Sequence, residues 1–219
     1  MFKAKNIKIF IIIMGIIVVI GYMAFFFAKD PFTKKKYTNS DFQIEDYHSM
    51  IDKDQDGIDD QTDILKNVEE YIKTNPKYKS KYYETGYPND QYGVCTDVVA
   101  EGLLGAGYDL MELVNQDILE HREDYDIEII DKNIDFRRVK NLKVYFKNNA
   151  ISLTTDPSKI EEWQGGDIVI FEKHIGVVSE HRNKEGIPYI YHHANPYQLK
   201  YEEDILKNRK DIVGHYRIS

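Results

Sequence analysis

The chain has 219 residues, 42% of them apolar and 13% aromatic, which is enough to bury one core of ordinary size and too much for a disordered chain. Its 29 Lys and Arg against 37 Asp and Glu give a net charge of −8, which argues against a basic surface for nucleic acid. A single cysteine excludes an internal disulfide framework, a cysteine-rich zinc site and an iron–sulfur site.

The charge is unevenly spread. Residues 1–36 hold seven lysines and one acid, leaving 22 basic and 36 acidic residues, a net of −14, for the remainder. After a short segment, 1–8, the run 9–28 carries no charge, and as a helix it rises about 30 Å, the hydrocarbon thickness of a bilayer. It ends Phe25-Phe26-Phe27-Ala28, a poor site for signal cleavage, and so reads as an uncleaved transmembrane anchor. Lys3, Lys5 and Lys8 favour a cytoplasmic N-terminus, with Lys29 and Lys34–Lys36 pulling the other way. The expected location is the cell membrane, single-pass, with residues 29–45 as a linker and 46–219 as an extracytoplasmic domain.

Asp52, Asp54, Asp56, Asp60 and Asp63 stand at positions 1, 3, 5, 9 and 12 of a twelve-residue loop, with Gly57 at position 6 and the Ile58 carbonyl at position 7. This is the ligand order of an EF-hand-like calcium loop, 52–63: alternate side chains point inward and glycine permits the sharp turn. The expected cofactor is a structural Ca2+ held by Asp52, Asp54, Asp56, Ile58, Asp60 and Asp63; a solvated turn capping the following helix at Asp63 is the bland alternative. Apolar residues at helical spacing then predict a helix over 63–73, ending before Pro76.

Gly93-Val-Cys95-Thr-Asp97-Val-Val99 leads from a turn-rich segment into an apolar helix over 95–105, where Gly102 and Gly105 allow close packing. Cys95 then sits in the first turn, where free N–H groups and the helix dipole favour thiolate. Helices over 110–120 and 136–147 follow. Downstream, Gly166-Asp167-Ile-Val-Ile-Phe171, His174-Ile-Gly-Val-Val-Ser179 and Ile187-Pro-Tyr-Ile-Tyr-His192-His193 read as an antiparallel meander. Its hairpin brings His174 beside the histidines of the next strand. A thiol at a helix N-terminus, a histidine to take its proton and a polar group to orient that histidine are the parts of a cysteine hydrolase.

The segments Tyr87-Pro88, Gly93 to Val99, Asn133-Ile-Asp135, Arg137-Arg-Val139, Asn141-Leu142, Gly166 to Val169, His174 to Ser179 and Gly214-His-Tyr-Arg217 resemble the family catalogued as domain of unknown function 1287, in that family's order. That family in turn resembles the NlpC-type branch of papain-like cysteine peptidases, which cut peptidoglycan stem peptides or related amides. The resemblance implies an α+β papain-like domain with N-terminal helices on a C-terminal antiparallel sheet. It makes Cys95 the nucleophile, His174 the base and His192 the third member, with His193 and Asn195 as alternatives. The oxyanion would be held by the Cys95 N–H and a neighbour such as Tyr92 or Gln91. Phe136 and Lys140 replace the family's His and Pro, and Asp97 puts a charge two residues from the sulfur unless it caps its helix or pairs with Arg137 or Arg138. The expected partner is a cell-wall peptide, with a non-catalytic envelope-binding module or an acyl transferase as rivals.

Overall fold

The computed structural model describes residues 9, 12–22 and 35–218. It divides into two units, 1–35 and 36–219. In the first, residues 12–22 form a helix, α1, whose side chains are exposed. Of the anchor expected over 9–28, residues 10, 11 and 23–28 lie outside the described residues; among the described ones, no helix is long and apolar enough to cross a membrane.

Among its described residues the second unit has five α-helices, four short 3-10 turns and two sheets. Helix α2 (Asp60–Lys73) buries Ile64 and Val68 against α3 (Cys95–Gly105). The crossing is close because Gly102 stands where a Cβ would come within 2.4 Å of Val68 Cγ2. Helix α2 begins three residues before the expected 63: Asp59 is its cap, accepting from Thr62 N and Thr62 Oγ1. Helices α4 (Leu110–Glu120), α5 (Lys132–Asp135) and α6 (Val139–Asn149) follow. The helix expected over 136–147 is α6, which starts three residues later, and the short α5 lies before it as a separate element. Asp131 caps α5, the Asp135 carboxylate reaches back to Asp131 N at 2.8 Å, and Arg137 is drawn off to another partner before α6 starts.

A two-stranded parallel pair, β1 (Lys77–Tyr78) and β2 (Tyr92–Gly93), leads the chain into Cys95. The main sheet runs in the order β3-β8-β4-β5-β6-β7, made from β3 (Ile151–Ser152), β4 (Ile168–Phe171), β5 (His174–Arg182), β6 (Pro188–Tyr191), β7 (Glu202–Glu203) and β8 (Ile212–Arg217). All its pairings are antiparallel. The expected meander is β4-β5-β6; β8, which was not expected as a strand, returns to pair with the free edge of β4. Strand alternation divides the core. Ile168, Ile170, Ile175, Val177 and Tyr191 pack with the helices, whereas Val169, Phe171, Val178 and Ile190 pack with Trp163 and Leu206 on the other face. The fold is a mixed α+β domain with helices on a C-terminal antiparallel sheet.

Candidate active site

Cys95 is the first residue of α3 and is partly exposed. Its helix end is fixed through Asp97, fully buried, whose Oδ2 accepts the Val94 N–H at 2.8 Å. The same carboxylate receives Arg137 Nε at 2.6 Å and Nη2 at 2.8 Å, a bidentate pair with almost no exposed surface. Asp97 thus caps its helix and pairs with Arg137 at once. Burial pushes the Cys95 thiol up to about 11; the Ile175 N–H works against this, and the Asp97 charge adds to it. The helix terminus expected to favour thiolate is outweighed by desolvation.

The Ile175 contact brings the sulfur to the start of β5, where His174 is the first strand residue. His174 Nε2 lies 3.0 Å from His192 Nδ1. The β5–β6 register pairs Val177 with Tyr191 and Val178 with Ile190, so His192 falls opposite Gly176 and diagonal to His174 on one face. Gly176 makes that approach possible: a Cβ there would meet the Tyr191 carbonyl at 2.7 Å and His192 Cβ at 3.3 Å. His174 stacks on Phe171, its ring centroid 6.0 Å away. Burial lowers His174 to about 4, with the Arg209 guanidinium contributing, and lowers His192 to about 3, with His174 contributing. Both rings are neutral at pH 7. Among the described residues no hydrogen bond joins the Cys95 sulfur to either ring.

His193 leaves the strand on the other face, edge-on to Tyr78 and Tyr201 at 5.3 and 5.1 Å. Asn195 accepts the Tyr197 N–H in a local turn. Gln91 and Tyr92 lie in the β1–β2 ladder, where the Gln91 carbonyl takes Lys77 N at 2.7 Å. The Arg209 guanidinium lies over the Phe171 ring at 4.0 Å and pairs with Asp211. Neither this arginine nor Glu203, beside His192, carries a sequence signal that would have marked it.

Several motif residues hold the scaffold instead. Asp167, fully buried, accepts from Gln61 Nε2, Gln164 N, His215 Nε2 and both Arg217 Nε and Nη2 at 2.7–3.0 Å. Trp163 stacks on His215 at 3.7 Å.

In the acidic loop the carboxylates of Asp52, Asp54 and Asp56 come within 4.8 Å of one another, exposed. Gly57 turns the chain at φ +92°, its N–H on Asp52. Asp60 does not join them: it is buried and accepts Lys53 N at 2.7 Å and the Tyr108 hydroxyl. Asp63 is likewise buried, with the charges of Asp54 and Asp56 adding to burial in raising its carboxyl. Of the five expected carboxylates, the structure gathers three.

The family model described as a domain of unknown function (DUF1287) matches residues 65–218. An Escherichia coli (strain K12) protein, "Uncharacterized protein YijF", is 34% identical over 152 residues, covering 65% of this chain and 72% of its own. No solved structure matches.

Proposed function

This chain belongs to the DUF1287 family, and we propose that it is a cysteine hydrolase of the papain-like, NlpC-type kind, cleaving an amide in cell-wall peptide. The observation that supports the reading is at the start of β5: the sulfur at the head of α3 lies by the Ile175 N–H, and the residue before it, His174, is hydrogen-bonded to a second histidine. With a neutral thiol and neutral imidazoles, the chemistry is general-base-assisted attack and not a preformed ion pair. Substrate binding closes sulfur on imidazole; His174 takes the thiol proton as Sγ bonds to the carbonyl carbon, and the N–H groups of Cys95 and Thr96, in the first helical turn beside the sulfur, hold the oxyanion. The proton passes to the departing amine, leaving a thioester that water cleaves to the acid and the free thiol. Hydrolysis and acyl transfer share every step but the last. In this reading residues 9–28 anchor the domain outside the cytoplasm, and Asp52, Asp54 and Asp56 hold Ca2+.

The test incubates the full-length chain with purified peptidoglycan and reads released fragments by mass spectrometry. New fragments with the wild type and none with Cys95→Ala are expected; equal release by the two chains ends the reading. The missing sulfur–imidazole bond favours one rival, a non-catalytic envelope-binding module. It predicts that both chains sediment with peptidoglycan and leave its mass spectrum unchanged.

A further inference from the structure

The pair His174–His192 does not end at His192. Strand β7 is a two-residue edge strand whose register sets Glu203 opposite Ile190 and Glu202 opposite Tyr191. Residues paired across a ladder share a face, and His192 follows Ile190 by two, so Glu203 and His192 lie diagonally on the same face. Glu202 points the other way, to Ser179 and His181. Glu203 Oε2 stands 3.1 Å from His192 Nε2. It is off the N–H axis, and that buried nitrogen has no hydrogen-bond partner among the described residues. The Glu203 side chain is 38% exposed, so it is not locked in place by packing on every side.

We propose that Glu203 is a positioning residue for the site, fixing His192 as its Nε2–H tautomer and through it His174 as the base. This rests on the hydrolase reading for its purpose and not for its geometry. A carboxylate accepts only, so the proton of neutral His192 sits on Nε2 and its Nδ1 offers a lone pair. Across 3.0 Å that lone pair must receive a proton from His174 Nε2. His174 Nδ1 is then left bare, which is what a base for the thiol requires. Reversing the tautomer of His192 would turn its Nδ1–H on His174 Nε2 and put the His174 proton on the nitrogen that has to accept one. No proton moves to Glu203 in this scheme; it orients, as the buried carboxylate of a hydrolase triad does.

Long-range ¹⁵N–¹H spectra of the full-length chain labelled at histidine distinguish the two tautomers directly. We expect Nε2–H for both His174 and His192 in the wild type. Glu203→Ala should leave His192 a mixture, whereas Glu203→Gln, which keeps an acceptor oxygen, should preserve the wild-type form. Cys95-dependent turnover should fall on the order of ten- to a hundredfold in Glu203→Ala with KM little changed, and recover most of that in Glu203→Gln. His192 observed as Nδ1–H in the wild type overturns the proposal without any variant, and so does an unaltered His192 tautomer in a folded Glu203→Ala chain. The spectra need no turnover: tautomers as expected in a chain that cleaves nothing would sink the hydrolase reading and leave the relay standing.

Discussion

His192 and His193 are chain neighbours with opposite fates. His192 shares a face with His174 and touches it at 3.0 Å, while His193 is wedged edge-on between Tyr78 and Tyr201. In the proposed mechanism only His192 is placed to orient His174. His192→Ala should therefore lower kcat/KM about a hundredfold or more, and His193→Ala should act mainly on stability. Turnover and melting temperature measured on both variants check this, and equal mild losses would mean that neither ring orients His174. Alternation in the sequence was enough to say that just one of the two could serve. Which one depended on register, and register depends on the Gly176 approach, a close backbone contact that no side-chain pattern advertises. Glu203 was illegible for a different reason: β7 is too short to show a period, and its acid reads as one more solvated charge.

At the scale of elements, α3 is held at its N-terminus by one buried ion pair. Arg137 also donates to the Lys81 carbonyl at 2.7 Å, so it ties the Cys-bearing helix to the segment before β2. Truncating it strands the Asp97 charge in a fully buried site. Arg137→Ala should cost about 3–5 kcal/mol. The double change with Asp97→Ala should cost clearly less than the two single losses added, and denaturant melts of all four chains measure that coupling. The helices were readable because apolar spacing and glycines mark them. The break before α6 was not, because it is made by Asp135 reaching back along its own turn and by Arg137 pairing forty residues away. Strand β8 was equally hidden: its Gly-His-Tyr-Arg run carries the partners of Asp167 and little apolar period. The acidic loop was fully visible as a ligand order, yet Asp60 is spent on Tyr108 and Lys53. With three carboxylates gathered, a dissociation constant of about 10⁻⁴ M would make 1 mM calcium worth about 1.4 kcal/mol. The melting temperature of the full-length chain should then rise a few degrees with calcium, and not in Asp54→Ala with Asp56→Ala; no shift against magnesium and EDTA controls leaves the loop as a solvated turn.

Across the whole molecule the histidines set opposing limbs of stability against pH. His174 and His192 have their folded values lowered to about 4 and about 3, first by burial, so the unfolded chain takes up protons from pH 6.5 downward that the folded chain refuses. Stability on that side falls as pH drops from 6.5 toward 4. His181 behaves in reverse. Its Nδ1 lies 2.8 Å from both Glu180 Oε1 and Glu202 Oε1, and these partners raise it to about 9. The folded chain keeps that proton where the unfolded chain has released it, so its contribution is complete below pH 6.5 and lost as pH rises to 9. The melting temperature should therefore peak near pH 6.5 and decline in both directions by several degrees. The limbs are separable because they arise at different places on the sheet: His192→Asn should make the acid side alone shallower, leaving the part due to His174, and His181→Asn should flatten the alkaline side alone. A scan in which both variants keep the wild-type profile would show that neither histidine carries the charge state assigned to it.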